Sequence, residues 1–315
     1  MAMKYLVTGG VGFIGFHTAK RLLDEGHEVV VIDNFNTYYD VKLKKLRASM
    51  LKGAKIYRQD LADFPKLDRV FAKEKFNKII HLAAQAGVRH SLIDPWTYVN
   101  SNIMATLNIF EACRKHGVKD VVYASSSSVY GGNTKMPFSE SDPVEKPISL
   151  YAQSKRSCEL MGYTYNHLFG LNTTGLRFFT VYGPMGRPDM AGWLFAKAIR
   201  EGKPIKLFNN GKMRRDFTYV ADIVDGIIRA SNKAYPCEVF NLGSDKPVEL
   251  SRFVSIIEER LGRKAKKELL PMQPGDVPAS WADIRKAKKM LGWEPKTSIE
   301  QGLKNFIDWY EQYAE

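Results

Sequence analysis

The chain has 315 residues, 44% hydrophobic and 26% charged, a globular composition that excludes disordered and fibrous classes. That length admits one large domain or two coupled ones, with ample room for a buried core. Lys and Arg number 47 against 34 Asp and Glu, a formal charge of +13. Such a balance suits an anionic partner. The basic residues are nevertheless scattered, and clusters such as Lys42-Leu43-Lys44-Lys45 and Lys286-Ala287-Lys288-Lys289 predict solvated helix faces rather than a nucleic-acid stripe.

In chain order, short β-branched apolar runs come first. Tyr5-Leu6-Val7, Glu28 to Ile32, Lys55 to Tyr57, Lys78 to Leu82, Val121 to Ala124 and Thr173 to Leu176 predict buried strands. Amphipathic stretches such as Thr18 to Glu25 and Asn102 to His116 lie between them. Alternation of this kind predicts βαβ units and a doubly wound parallel sheet covered on both faces. After about residue 178 the rhythm changes. Gly183-Pro184, Gly186, Pro188, Gly202, Pro204 and Gly211 punctuate shorter pieces at Trp193 to Arg200, Ile205 to Phe208, Val220 to Ala230, Val239 to Leu242 and Leu250 to Leu261. The expected organisation is a dinucleotide-binding domain over residues 1–178 and a smaller mixed α/β substrate lobe over 179–315, with some segments returning to the first domain. In such sheets ligands bind beyond the carboxyl ends of the strands, so the cleft between lobes is the expected site.

Cys113, Cys158 and Cys237 are odd in number and far apart, so no disulfide framework is expected. No C-x-x-C or H-E-x-x-H spacing offers a metal site, and none is expected. The start, MAMKYLVTGG, is too short in apolar residues for a signal peptide, and no run approaches the roughly 18 apolar residues of a membrane span. The expected setting is the reducing cytoplasm, with no membrane and no nucleic-acid partner.

The strongest local signal is Thr8-Gly9-Gly10-Val11-Gly12-Phe13-Ile14-Gly15, directly after a strand and opening a helix. Glycines at 9, 12 and 15 permit a tight turn, close approach of a pyrophosphate to backbone N–H groups, and close helix–strand packing. Asp33 ends the next strand, where a carboxylate accepts from adenosine ribose hydroxyls and repels a 2′-phosphate. NAD is therefore favoured over NADP. The plainer alternative makes Asp33 a strand-end residue in a turn with Asn34.

A second constellation is Tyr151-Ala152-Gln153-Ser154-Lys155, preceded by Ser125 to Ser128 at a strand end. At i and i+4 on a helix, Tyr and Lys project from one face. An ammonium beside the phenol, together with a nicotinamide cation, favours the phenolate and lets Tyr151 act as a base. Either motif alone is a common accident; joined to the glycine turn, the set is hard to obtain by chance.

With these residues in place the chain resembles, over essentially its whole length, the extended short-chain dehydrogenase/reductases that act on nucleotide sugars. The resemblance rests on Thr8 to Gly15, Asp33, Asp60-Leu61, His81-Leu82-Ala83-Ala84, Ser125-Ser126-Ser127, and Tyr151 with Lys155. It implies a bound NAD held by Gly9, Gly12, Phe13, Ile14, Gly15, Asp33, Asn34, Asp60, Leu61, Leu82, Ala83, Ala84 and Asn100. It further implies that Ser126 is the catalytic hydroxyl, a role Ser127 or Ser128 could share, and that Lys155 binds the nicotinamide ribose.

In that family the dehydratases, and the decarboxylases that form UDP-xylose, carry an acidic residue before Val-Tyr-Gly. Here that stretch is Ser127-Ser128. Without an acid, water elimination lacks its proton agent. Three segments resemble the UDP-glucuronate 4-epimerases: residues 34–41 (NFNTYYDV), residues 180–190 (TVYGPMGRPDM) and residues 272–278 (MQPGDVP). A guanidinium suits a planar carboxylate, which is the physical reason to want Arg187 at the sugar. The resemblance also implies substrate contacts from Ser127, Ser128, Thr180, Arg215 (at the diphosphate) and Asp276. The expected reaction is inversion at carbon 4 of UDP-glucuronate through a 4-keto sugar. The alternatives are a 4-epimerase of neutral UDP-hexoses or their N-acetyl forms, and a UDP-glucuronate decarboxylase. Apolar stripes on Asn102 to His116 and Tyr151 to Phe169 imply, by the same resemblance, a homodimer.

Overall fold

The apolar runs of the first half become neighbouring strands because most are too hydrophobic to face water on either side. The run at Lys55 to Tyr57, expected to be buried, instead forms the half-exposed edge of the sheet. The computed structural model describes residues 2–272 and 278–314. Strands β1 (Lys4–Thr8), β2 (Glu28–Asp33), β3 (Lys55–Arg58), β4 (Lys78–His81), β5 (Asp120–Ser126) and β6 (Asn172–Phe178) lie side by side in the order β3-β2-β1-β4-β5-β6. Every pair is parallel, and the order reverses between β1 and β4. Thr8 stands level with Ile32 on one side and His81 on the other, so the strand ends form an even rim. Tyr5 and Val7 enter one apolar core while Leu6 enters the other, as the two-residue period of a strand requires.

Helices α1 (Phe13–Asp24), α2 (Val41–Met50), α3 (Phe64–Glu74), the short α4 (Pro95–Tyr98), α5 (Ala105–His116) and α6 (Leu150–Phe169) make the crossovers. A π-helical turn, Val99–Met104, joins α4 to α5. Helix α6 begins at Ser149, whose hydroxyl accepts from the Ala152 amide, and ends at left-handed Gly170. Helix α1 begins at Phe13, ahead of the amphipathic stretch from Thr18, with extended Gly12 as its N-cap and Gly15 in its first turn.

The second lobe holds β7 (Thr180–Tyr182), α7 (Ala191–Arg200), β8 (Pro204–Leu207), β9 (Arg214–Arg215), β10 (Phe217–Tyr219), α8 (Val220–Ser231), β11 (Cys237–Leu242), β12 (Val248–Glu249), α9 (Leu250–Leu261), β13 (Lys266–Leu269), β14 (Ala279–Ser280), α10 (Arg285–Leu291) and α11 (Ile299–Ala314). Three of these pack with the main sheet and its helices: β11, α8 and α10, whose Ala287 and Leu291 lie in the core of Val7 and Phe16. Strand β11 pairs in parallel with β6 as the seventh strand of the main sheet. Ile223 and Ile227 of α8 share the core of Phe16 and Leu22 from α1. A third core, around Phe253, Ile257, Leu303 and Ile307, packs α7, α9 and α11 with β8 and β10.

In the basic cluster opening α2, Lys42 and Lys45 are exposed as expected, and Lys44 departs from the solvated face. Lys44 is buried, with Nζ donating to the Asn36 carbonyl at 2.8 Å and to Asn36 Oδ1 at 2.7 Å. Arg47, one turn on, is completely buried.

Candidate active site

The glycine-rich turn closes against β4. Gly9 has φ +66°, and a Cβ there would lie 2.8 Å from the Ala83 backbone; one on Gly15 would lie 2.1 Å from the Gly9 carbonyl oxygen. No side chain caps α1 at Gly12, so the helix N-terminus faces the cavity with its own amides, a setting suited to an anion. Thr8 Oγ1 accepts from the Ala83 amide at 3.1 Å and meets His81 Nδ1 at 2.7 Å, while His81 Nε2 meets Thr106 Oγ1 at 3.1 Å. Burial, assisted by the nearby Lys155 charge, holds the His81 pKa down to about 3. The imidazole is thus a neutral strut under the turn.

Beside the turn a small cavity of about 110 Å³ is lined by Asp33, Asn34, Asp60, Leu61, Leu82, Ala83 and Ala84, among others. Asp33 accepts from the Val11 amide at 3.3 Å and the Phe35 amide at 2.8 Å. Burial pushes its pKa up against these hydrogen bonds. Asn34 donates to Asp60 at 2.9 Å, tying the two strand ends together. Gln59 and Ser101 also line this cavity, and neither was expected. Gln59 Nε2 is buried with no hydrogen-bond partner, an orphaned donor awaiting a ligand acceptor. Asn100 is exposed and lines neither this cavity nor its larger neighbour.

The larger cavity, about 580 Å³, continues from Gly9, Gly12, Phe13, Ile14 and Gly15 to the ends of β5 and β7. Ser125, Ser126, Ser127 and Ser128 line one wall with Tyr151 and Lys155, and Thr180 and Arg187 line another. Ser126 Oγ lies 3.1 Å from both the Ser128 hydroxyl and the Ser128 amide. Lys155 is buried and donates to the Ala124 carbonyl at 2.8 Å. The Tyr151 ring packs edge-on against buried Tyr98, with centroids 6.0 Å apart. One turn beyond Lys155, Glu159 receives Arg177 Nε at 2.8 Å, Arg177 Nη2 at 2.9 Å and the Ser125 hydroxyl at 2.6 Å. Helix α6 is thereby pinned to β5 and β6.

Arg187 stands in the cavity wall, not on an outer turn. Its Nε donates to Asp189 Oδ1 at 3.0 Å and its Nη2 to Oδ2. The loop carrying it is fixed by Arg47, whose guanidinium donates to Val11 O (3.0 Å), Tyr39 Oη (2.7 Å), Met185 O (2.6 Å) and Gly186 O (3.3 Å). Arg215 lies on β9, donating to the Arg214 carbonyl at 3.0 Å, and does not line the cavity. Asp276 falls outside the described residues. Among the described residues, no group of three His, Cys, Asp or Glu is placed to hold a metal ion.

Residues 5–243 match the model of the NAD dependent epimerase/dehydratase family. The chain belongs to that family. A UDP-glucuronate 4-epimerase of Thermodesulfobacterium geofontis is 48% identical over 315 residues, covering 99% of this chain and 97% of its own. Among solved structures, a UDP-glucuronic acid 4-epimerase from Bacillus cereus, in complex with UDP-glucuronic acid and NAD, superposes with TM-score 0.92 at 35% identity, covering 99% of this chain and all of the other. A UDP-glucose 4-epimerase of Thermotoga maritima, with UDP-glucose, gives the same TM-score at 33% identity and the same coverage. The fold alone therefore does not choose the sugar. Membership makes NAD the cofactor, and the orphaned Gln59 donor and the glycine cradle fit it.

Proposed function

We propose that this protein inverts carbon 4 of UDP-glucuronate to give UDP-galacturonate, keeping NAD bound throughout. The observation that carries this reading is one continuous cavity in which Ser126, Tyr151 and Lys155 face Thr180 and Arg187. The dinucleotide, when bound, supplies a two-electron acceptor for carbon 4. Tyr151, as phenolate, takes the proton of the 4-hydroxyl and later returns it. The Ser126 hydroxyl supports the 4-oxygen. Lys155, fixed to Ala124 O by one donor, has others for the nicotinamide ribose. Arg187 and Thr180 secure the sugar carboxylate, Ser127 and Ser128 add hydroxyls at the sugar, and Arg215 serves the diphosphate. Only serines stand beside Ser126, so water elimination has no acid to drive it.

The test is direct. Purified enzyme incubated with UDP-glucuronate should give UDP-galacturonate by NMR, and Tyr151→Phe should lose turnover by several orders of magnitude while keeping bound NAD. A Phe variant with a tenth of wild-type activity would remove Tyr151 from its role. One observation favours a second reading, 4-epimerisation of a neutral UDP-hexose: Arg187 is already neutralised by Asp189. Faster turnover of UDP-glucose than of UDP-glucuronate would establish it.

We also propose a homodimer. Trp96, Val99 and Met104, with Leu160 and Tyr163 of α6, form an exposed apolar face (40–77% exposed) beside the catalytic helix. Leu160→Glu with Tyr163→Glu should yield a monomer by light scattering. No helix among the described residues is long and apolar enough to cross a membrane. Three free cysteines support a cytoplasmic setting.

A further inference from the structure

The arginine assigned to the substrate already holds a carboxylate. Arg187 turns its side-on edge, Nε and Nη2, to both oxygens of Asp189. Tyr38, from the segment 34–41 whose purpose the sequence left open, donates its hydroxyl to Asp189 Oδ2 at 3.2 Å. The Tyr38 ring lies 5.8 Å from the guanidinium carbon. All three side chains line the cavity that contains Tyr151 and Ser126. The Arg187 side chain is only 19% exposed. A guanidinium withdrawn from water to that degree is costly without a counter-charge, and Asp189 is the counter-charge supplied.

We propose that Asp189 is an internal stand-in for the sugar carboxylate: it neutralises Arg187 while the sugar site is empty and is displaced from it by an entering uronate. Tyr38 is the partner that the displaced Asp189 keeps. The proposal rests on the reading that Arg187 receives the uronate, and it explains why residues 34–41 and 180–190 occur together. Asp189 occupies the Nε–Nη2 edge and would repel a second carboxylate on the same guanidinium, so in this proposal a uronate gains that edge by exchange. Exchange keeps the buried cation paired at every stage. It also lowers the net gain from the uronate charge, because one charge-assisted bidentate pair is broken as another forms. A neutral hexose leaves the Arg187–Asp189 pair closed.

Exchange and mere orientation of Arg187 predict opposite signs. In calorimetric titration of the NAD-loaded enzyme, Asp189→Asn should bind UDP-glucuronate about tenfold more tightly than wild type, as expected when one charged competitor is removed. Its affinity for UDP-glucose should stay within about twofold. Weaker or unchanged UDP-glucuronate binding would make Asp189 an orienting partner and overturn the proposal. Asp189→Ala gives a second measurement. Acetate should compete with UDP-glucuronate and raise the melting temperature in this variant but not in wild type; no effect of acetate in either would also overturn it. Arg187→Ala, measured alongside, separates the premise from the proposal. If it keeps the wild-type preference for UDP-glucuronate over UDP-glucose, the carboxylate reading falls and the stand-in with it. If the preference is lost but Asp189→Asn does not tighten, only the stand-in falls.

Discussion

The Glu159–Arg177 pair beneath the serine run permits a prediction with a worked magnitude. Both side chains are almost fully buried, 1% and 3% exposed, and Glu159 accepts from Arg177 twice, from Ser125, and from Arg156 Nη1 at 3.0 Å. Glu159→Gln keeps the shape but removes the charge and turns an amide NH₂ toward a donor. Breaking one side of a buried pair costs about 3–5 kcal/mol, because the remaining charge stays buried. At roughly 2–4 °C per kcal/mol, the melting temperature should fall by about 6–20 °C. Replacing both partners with Met should cost less than the single change, since the one cation left without its carboxylate, Arg156, is 30% exposed to water rather than buried. Urea denaturation of the two variants measures this directly. Because α6 also carries Tyr151 and Lys155, kcat should fall in the Gln variant more than KM rises. A Gln variant within about 1 kcal/mol of wild type, or a double variant less stable than the single, would refute the argument. Burial opposes the Glu159 charge but Arg177 prevails, so its pKa is depressed. The pair's contribution is therefore present above the ordinary carboxylate range and lost as pH falls through the depressed value.

Three further outcomes follow from the site. Once carbon 4 is a ketone, the uronate carboxyl is β to it and prone to leave as CO₂; Arg187→Ala should raise the ratio of pentose product to UDP-galacturonate about ten- to a hundredfold, and product analysis without added CO₂ release would detach Arg187 from the carboxylate. Cofactor extracted from purified enzyme should be NAD, because Asp33 repels a 2′-phosphate; a preparation holding mostly NADP would sink that assignment. His81, held neutral with a pKa of about 3, is protonated in the unfolded chain first, so stability should fall as pH drops below about 6.5 toward that value, by about 1.4 kcal/mol per pH unit. His81→Asn should flatten that acid limb, and an unchanged slope would remove His81 as its cause.

Five of the first six strands were legible because buried parallel strands are continuous apolar runs. Strand β3 (KIYR), an edge strand without a buried residue, was legible only from its β-branched and aromatic centre and its place in the alternation. Val239 to Leu242 stood out only as one short piece among several; some segments were expected to return to the first domain, but nothing local marks this one as the strand that pairs with β6. The glycine turn, Asp33 and the Tyr151–Lys155 pair announce themselves by spacing, and the structure brings them to two adjoining cavities. Lys44 and Arg47 did not announce themselves. On a helix of mixed Lys, Leu and Arg, which cation turns inward depends on carbonyls supplied by residues 36, 185 and 186. Gln59 is another such case, a polar residue whose only mark is a buried donor without a partner at the smaller cavity.

Arg47 has a consequence for how this site can change. One guanidinium grips the turn beneath the dinucleotide at Val11 and the loop that presents Arg187 at Met185 and Gly186. Met185 itself holds φ +57°, a conformation a non-glycine residue keeps only when held. The two ligand-binding halves are thus not interchangeable parts. A transplant of residues 183–190 onto a related scaffold would arrive without its anchor, and a redesign of the nucleotide turn would be felt at the sugar. The nucleotide turn and the loop of residues 183–190 are inherited as a single unit, joined by a side chain that lines neither cavity.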